Sequence, residues 1–160
     1  CIRDSHYRWL KSGEVANNII FDTEEYISRE GLKGSSAKII PSGTVVMAMY
    51  GATASQVTYL DCDTTTNQAC CNMLTATFEE AAYLYFHCLY QQENIKRLAN
   101  GGAQENLSQE LICAQPILIC ENTHIYDVFS KLLSAKIAFS KENYCCGILL
   151  KNLLSNIVII

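Results

Sequence analysis

One short pattern combines residue types that catalytic sites use. Ser35 and Lys38 stand three positions apart in "SSAK", the spacing of the serine nucleophile and lysine in penicillin-binding enzymes. The companion Ser-Asp-Asn and Lys-Thr-Gly elements are absent, and four-residue matches are common by chance. The sequence also has no GxSxG turn, no GxxxxGK[ST] phosphate loop and no Glu followed two residues later by Lys. A hydrolase that uses Ser35 and Lys38 therefore stays only as an alternative.

Metal and acid-base chemistry find little support in the remaining titratable residues. Asp61 and Asp63 lack further ligands and are typical of a solvated turn, and His87 is placed on an apolar helix face. The nine cysteines include two adjacent pairs and show no CxxC spacing. We interpret them as small buried residues in a reducing cytosol, which predicts a cytoplasmic chain with no zinc and no other cofactor.

The stretch "YGATASQVTYLDCDTTTNQACC" (50–71) instead collects neutral hydrogen-bonding groups. Asn and Gln pair with adenine through two hydrogen bonds, and hydroxyl groups adapt to either partner, so such residues suit the reading of base edges. The net charge of −4 argues against indiscriminate nucleic-acid binding. Two structural readings stay open: the three threonines (64–66) could cap a helix, and Asn67 and Gln68 could brace a loop.

The elements that would position these groups predict an α/β domain with a mixed sheet. "TVVMAMY", "QVTYL" and "CNMLTAT" are expected strands, the first of them central, and "QPILIC" is an expected closing strand. Thr23 is the expected N-cap of a helix through "TEEYISREGL", and Trp9 is expected in the core. A buried helix is predicted from Glu79 to the Asn100-Gly101-Gly102 stop, followed by a short helix capped by Ser108.

From about Asn122 to the end, apolar residues recur at helical spacing. A helix of this length reaches roughly 50 Å at 1.5 Å per residue, and its apolar stripe needs a partner helix. The sequence therefore predicts two units: a domain over 1–120 and a long helical, coiled-coil-type arm over 121–160. Polar residues interrupt the apolar C-terminal end, so no membrane span is expected.

Five segments in this order resemble the specificity subunit of type I restriction-modification systems. They are "WLKSGEV", "TEEYISREGLKGSSAKIIPSGTVVMAMYGATASQV", "TTTNQAC", "GGAQENLSQELI" and the "QPI" strand before a helical tail with "LLKNLL" near its end. The resemblance implies a non-catalytic target-recognition domain that reads one half-site of double-stranded DNA. It also implies a helical spacer that binds the methyltransferase subunits and, through them, the restriction subunit.

A complete subunit of that family has two recognition domains and two helical regions, whereas this chain resembles one of each. It therefore resembles a half-subunit or a fragment, and the start at Cys1 rather than Met also suggests one. The expected partner of the arm is a second copy or a second specificity half. The arm residues expected to bind partners are Ile125, Phe129, Leu132, Leu133, Ile137, Leu149 and Leu153.

The residues expected near DNA combine cations with neutral polar groups. This chain departs from the family at two positions: it has Ser55 where the family commonly has Gly, and Gln56 where the family often has Lys. These two departures favour an alternative function. In that alternative the chain is a degenerate adaptor that binds methyltransferase subunits without reading DNA. The expected DNA-binding set is Lys11, Arg29, Lys33, Ser35, Ser36, Lys38, Tyr50, Gly51, Thr53, Ser55, Gln56, Asn67, Gln68 and Gln104.

Overall fold

The computed structural model describes residues 6–98 and 106–157, with side chains up to residue 155. The strands of this part of the chain form two four-stranded sheets, ordered β3-β1-β7-β4 and β2-β6-β5-β8. Both sheets contain parallel and antiparallel neighbours, which confirms a mixed α+β architecture. The strands are β1 (Tyr7–Leu10), β2 (Ile19–Ile20), β3 (Glu25–Ile27), β4 (Ile39–Ile40), β5 (Val45–Ala48), β6 (Val57–Leu60), β7 (Thr64–Thr66) and β8 (Cys70–Met73). The helices are α1 (Arg29–Lys33), α2 (Phe78–Leu98), α3 (Gln109–Cys113) and α4 (His124–Ile157), with 3₁₀ turns at Ser12–Glu14 and Gly51–Thr53.

Strand β5 lies between β6 and β8 in the more apolar sheet, as its sequence predicts. Every residue of β5 and β6 is buried, because both faces of these strands are covered. Helix α2 packs against this sheet, with Tyr85 fully buried and Leu84 and Cys88 in the same apolar core as Met47. The predicted buried helix is therefore confirmed.

The second sheet contains a strand that the sequence interpretation missed. Strand β7 consists of three threonines and lies between β1 and β4, with Thr64 and Thr65 buried. Both buried hydroxyl groups have partners: Thr64 Oγ1 donates to the Thr65 carbonyl at 3.2 Å, and Thr65 Oγ1 donates to the Arg8 carbonyl at 2.5 Å. A β-branched residue suits a pleated strand, and this bond lets its polar atom be buried.

The helix predicted to begin at Thr23 is wrong. Thr23 Oγ1 donates to the Glu25 carbonyl at 2.7 Å and accepts from the Trp9 amide, so it ties β3 to β1 instead of capping a helix. The helix starts later, after Ser28, whose Oγ accepts from the Gly31 amide. Trp9 is half-buried rather than part of the core.

The predicted closing strand at "QPILIC" is also wrong, because residues 115–120 form no strand and pair with none among the described residues. The segment lies against α2 instead of a sheet edge, and the Tyr83 hydroxyl donates to the Leu118 carbonyl. Leu118 and Ile119 are 77% and 85% exposed.

The expected burial of the cysteines holds for only some of them. The described cysteines are free thiols: Cys70, Cys71 and Cys88 are buried, whereas Cys113, Cys145 and Cys146 are exposed. No helix within residues 6–98 and 106–157 is long and apolar enough to cross a membrane.

Helix α4 has 34 residues and spans about 51 Å. Its first half packs against α2, and Leu133 is fully buried between them. Farther along, the rings of Phe21 and Tyr144 lie 5.6 Å apart, so the arm also contacts the segment after β2. The long helix is confirmed, and α2 of the same chain covers part of its apolar stripe.

Candidate nucleic-acid interface

An open cleft with a volume of about 520 Å³ lies between the loop after α1 and the turn that joins β7 to β8. It brings together residues that are far apart in the sequence. Five belong to the set expected near DNA: Ser35, Ser36, Lys38, Asn67 and Gln68. The other lining residues are Trp9, Ala37, Ile40, Met49, Thr66, Cys70, Asn72 and Gln109.

Asn67 shapes the β7–β8 turn. Its Oδ1 accepts from the Ala69 backbone amide at 3.2 Å and from Cys70 Sγ at 3.3 Å. The backbone amide of Asn67 donates to the Leu10 carbonyl. Its side-chain carbonyl thus braces the loop, one of the two roles left open by the sequence. Gln68 at the tip of the turn is exposed, and its side-chain amide has no hydrogen-bond partner among the described residues.

The loop after α1 forms the facing wall. Ser35 Oγ accepts from the Ala37 amide at 3.3 Å and lies 3.4 Å from the Leu32 carbonyl, so it holds the loop. Ser36 and Lys38 are exposed, and neither side chain has a partner in the described parts of the chain. The cleft therefore presents a hydroxyl group, a primary amide and one ammonium group that have no hydrogen-bond partner within the described residues.

Trp9, Asn72 and Gln109 line the cleft but were not predicted to be functional. Asn72 Nδ2 donates to Thr66 Oγ1 at 2.8 Å, while Asn72 Oδ1 is buried without a partner among the described residues. Alternation along β8 puts residues 70 and 72 on one face, and this signal could have assigned Asn72 to the cleft. Gln109 carried no comparable signal, because only the tertiary packing of α3 brings it there.

The predicted loop Gly51–Gln56 is a tight connection between β5 and β6. Thr53 Oγ1 donates to the Ser12 carbonyl at 2.7 Å, and the loop amides and carbonyls bond to one another. Tyr50 is 40% exposed, and Gly51 is exposed with φ of +80°. Thr53 thus stabilises the loop, whereas Tyr50 and Gly51 remain accessible; the half-buried Gln56 closes the turn.

Ser55 does not lie at the surface as its predicted DNA contact requires. It is fully buried, its φ is +69°, and its Oγ has no hydrogen-bond partner in the described residues. A positive φ favours glycine, because a Cβ atom crowds the backbone in that region. The backbone conformation thus explains why glycine suits this position.

Three of the cations predicted to contact DNA do not line the cleft. Lys11 Nζ lies 2.8 Å from Glu25 Oε1 and 3.9 Å from Glu24 Oε2, so carboxylates already balance its charge. Arg29 and Lys33 begin and end α1 and are exposed. Gln104 lies outside the described residues.

A polar cluster at the β3 edge of the sheet that contains β7 perturbs the pKa of Tyr26. Arg8 Nε donates to Asp22 Oδ1 at 2.9 Å, and the Tyr26 hydroxyl donates to the same oxygen. The hydrogen bond to Asp22 raises the pKa of Tyr26 to about 12. Within the described ranges, no group of three or more His, Cys, Asp and Glu side chains could hold a metal ion.

The seven predicted arm residues fall into two groups. Leu133 is fully buried, and Phe129 and Ile137 pack against the core that includes α2, with Ile125 half-buried. Leu132, Leu149 and Leu153 are 50%, 62% and 61% exposed. The first group packs against the rest of the chain, and the second is exposed to solvent.

Comparison with known proteins places these features in a family. Residues 3–144 match the family described as "Type I restriction modification DNA specificity domain". The fold is similar, with a TM-score of 0.57 and 10% identity, to a solved chain described as "Structural basis underlying complex assembly and conformational transition of the type I R-M system". The alignment covers 96% of this chain and 37% of that chain. No curated protein matches the chain. Because the family match extends over most of the sequence, the chain belongs to the type I restriction-modification DNA specificity domains, which are recognition modules.

Proposed function

We propose that this chain reads one half-site of double-stranded DNA and directs methyltransferase and restriction subunits to it. The observation that carries the proposal is the cleft, where polar groups from two distant segments face a common space and have no partner among the described residues. The hydroxyl of Ser36 and the amide of Gln68 provide the donors and acceptors that base edges require. Lys38 provides a phosphate contact, which fixes register without reading sequence.

The low number of cations fits a local contact. Lys38 is the one basic residue that lines the cleft in the described residues, and the chain as a whole carries a net charge of −4. Non-specific affinity rises with the number of phosphates neutralised, so a single lysine gives little of it. On this proposal the remaining affinity comes from base edges and from the partner subunits. Tyr50, Gly51, Arg29 and Lys33 are the proposed secondary contacts.

The arm completes the proposed function by joining this domain to other subunits. Its exposed leucines, Leu132, Leu149 and Leu153, form the proposed surface for a second copy, a second specificity half or a methyltransferase subunit. The leucines lie on a helix that α2 and Phe21 hold against the domain. A fixed arm would set the distance between two half-sites.

The test is a genome-wide methylation map in cells that carry this chain together with its methyltransferase subunit. We expect a bipartite motif that disappears when the chain is deleted. A palindromic motif would indicate a homodimer in which each domain reads one half-site. Methylation that is independent of the chain would contradict the proposal.

One alternative is supported by particular contacts. The pairing of Lys11 with Glu25 and the burial of Ser55 remove two of the expected DNA contacts, as in an adaptor that binds only methyltransferase subunits. The two functions differ in a measurable property. DNA reading requires salt-dependent binding to a duplex, whereas an adaptor co-purifies with the methyltransferase subunit and gives no such binding.

A further inference from the structure

Gln109 lies at the cleft, next to residues that are hydrogen-bonded to the segment directly after β5. The Leu107 amide donates to the Met49 carbonyl at 2.8 Å, and Tyr50 and Asn106 form an antiparallel bridge. Ser108 caps α3 by accepting from the Leu111 amide at 3.1 Å. Leu107 and Ile112 are 1% and 6% exposed, so apolar packing holds both sides of this short helix. Hydrogen bonds and apolar packing on both sides thus anchor the backbone that carries Gln109.

The side-chain amide of Gln109 makes no hydrogen bond to the residues that the structure describes. Gln109 is exposed, and its side chain has no hydrogen-bond partner in the described parts of the chain. Gln68, from the β7–β8 turn, is in the same state and lines the same cleft. Two primary amides from separate segments therefore share one open space with Ser36 and Lys38.

We propose that Gln109 is a specificity-determining residue that reads an adenine in the half-site; this inference rests on the proposed function. An amide carries both a donor and an acceptor, so it can accept from N6 of adenine and donate to N7 at once. A hydroxyl or an ammonium group cannot make this pair with the same selectivity. The structural platform matters because a bidentate contact needs a fixed approach direction.

The experiment maps methylation in cells that carry the methyltransferase subunit and one of several variants. Gln109→Ala removes the amide and preserves helix propensity. Glu110→Ala is the matched control, because Glu110 is exposed on the same helix and does not line the cleft. We expect Gln109→Ala to relax the motif at one adenine, with about 5- to 150-fold less discrimination, and Glu110→Ala to leave the motif unchanged.

A second substitution makes the prediction directional. Gln109→Glu keeps the size of the side chain but replaces the donor with an acceptor, which suits the N4 amino group of cytosine. The same motif position should then shift from adenine toward cytosine. Such a shift cannot result from a general loss of folding.

An unchanged motif in both Gln109 variants, or a uniform loss of methylation at all sites, overturns the role of Gln109. If Gln68→Ala still relaxes the motif, the proposed function stands without it. Absence of any chain-dependent motif with the unchanged sequence overturns the proposed function itself.

Discussion

Two neighbouring leucines of the arm should respond very differently to the same substitution. Leu133 is fully buried in the core that contains Leu84 and Tyr85, whereas Leu132 is 50% exposed. Replacing a fully buried leucine by alanine costs about 2–5 kcal/mol, because transfer free energy is lost and a cavity remains. For a chain of this size that lowers Tm by about 4–20 °C. Leu132→Ala should change the free energy of unfolding by about 0.5 kcal/mol or less.

The assay is urea unfolding of the whole chain followed by far-ultraviolet circular dichroism, with both variants and the unchanged protein. An unchanged m-value would show that the denatured state is the same in all three. In sedimentation experiments, Leu132→Ala should leave the chain folded but weaken its association with a second copy or with the methyltransferase subunit. Equal destabilisation by the two substitutions, or none by Leu133→Ala, would refute the packing of the arm on α2.

Three further predictions concern single groups. Ser55→Gly should raise the free energy of unfolding by about 1 kcal/mol or more in chemical denaturation, because it relieves a positive φ and removes a buried hydroxyl group that has no partner among the described residues. The hydrogen bond to Asp22 raises the Tyr26 pKa from 10.0 to about 12. The stability that this bond gives the folded chain is therefore complete below pH 10 and is lost as the pH rises through 12. Asp22→Asn should return the Tyr26 pKa toward 10.0 in an NMR titration of the tyrosine ring carbons. Burial raises the pKa of Cys88 to about 12, so a thiol reagent should label exposed Cys113 quickly and Cys88 only after unfolding.

The apolar segments of the fold were predictable because the order of apolar and polar residues within each segment indicates which faces are buried. The continuous apolar run of β5 requires cover on both faces, and the pattern of α2 requires a helix against a sheet. The same reasoning failed at Thr23 and Ser28, since both are good N-caps and only the pairing of β3 with β1 selects between them. It also failed at residues 115–120, where an apolar, β-prone segment contacts helix α2 instead of pairing with a strand.

The candidate site was half predictable for a related reason. Ser36, Lys38 and Gln68 stand in polar loops, where side chains are free to bind, and composition alone identifies such loops. Trp9, Asn72 and Gln109 belong to elements whose tertiary placement decides their role. The arm shows the same limit: its helical period was evident, but which leucines face α2 depends on how the helix is rotated.

The central claim is that the cleft binds DNA, and the most direct test is the salt dependence of that binding. The measurement is the Kd of the chain, with its methyltransferase subunit, for a duplex that carries its methylation motif, over a series of salt concentrations. Lys38→Gln should reduce the magnitude of the log–log salt slope by about 0.9, since one phosphate contact is lost. Lys131→Gln, an exposed lysine on the arm, should leave the slope unchanged. An identical slope in the unchanged protein and Lys38→Gln would contradict the placement of DNA at the cleft.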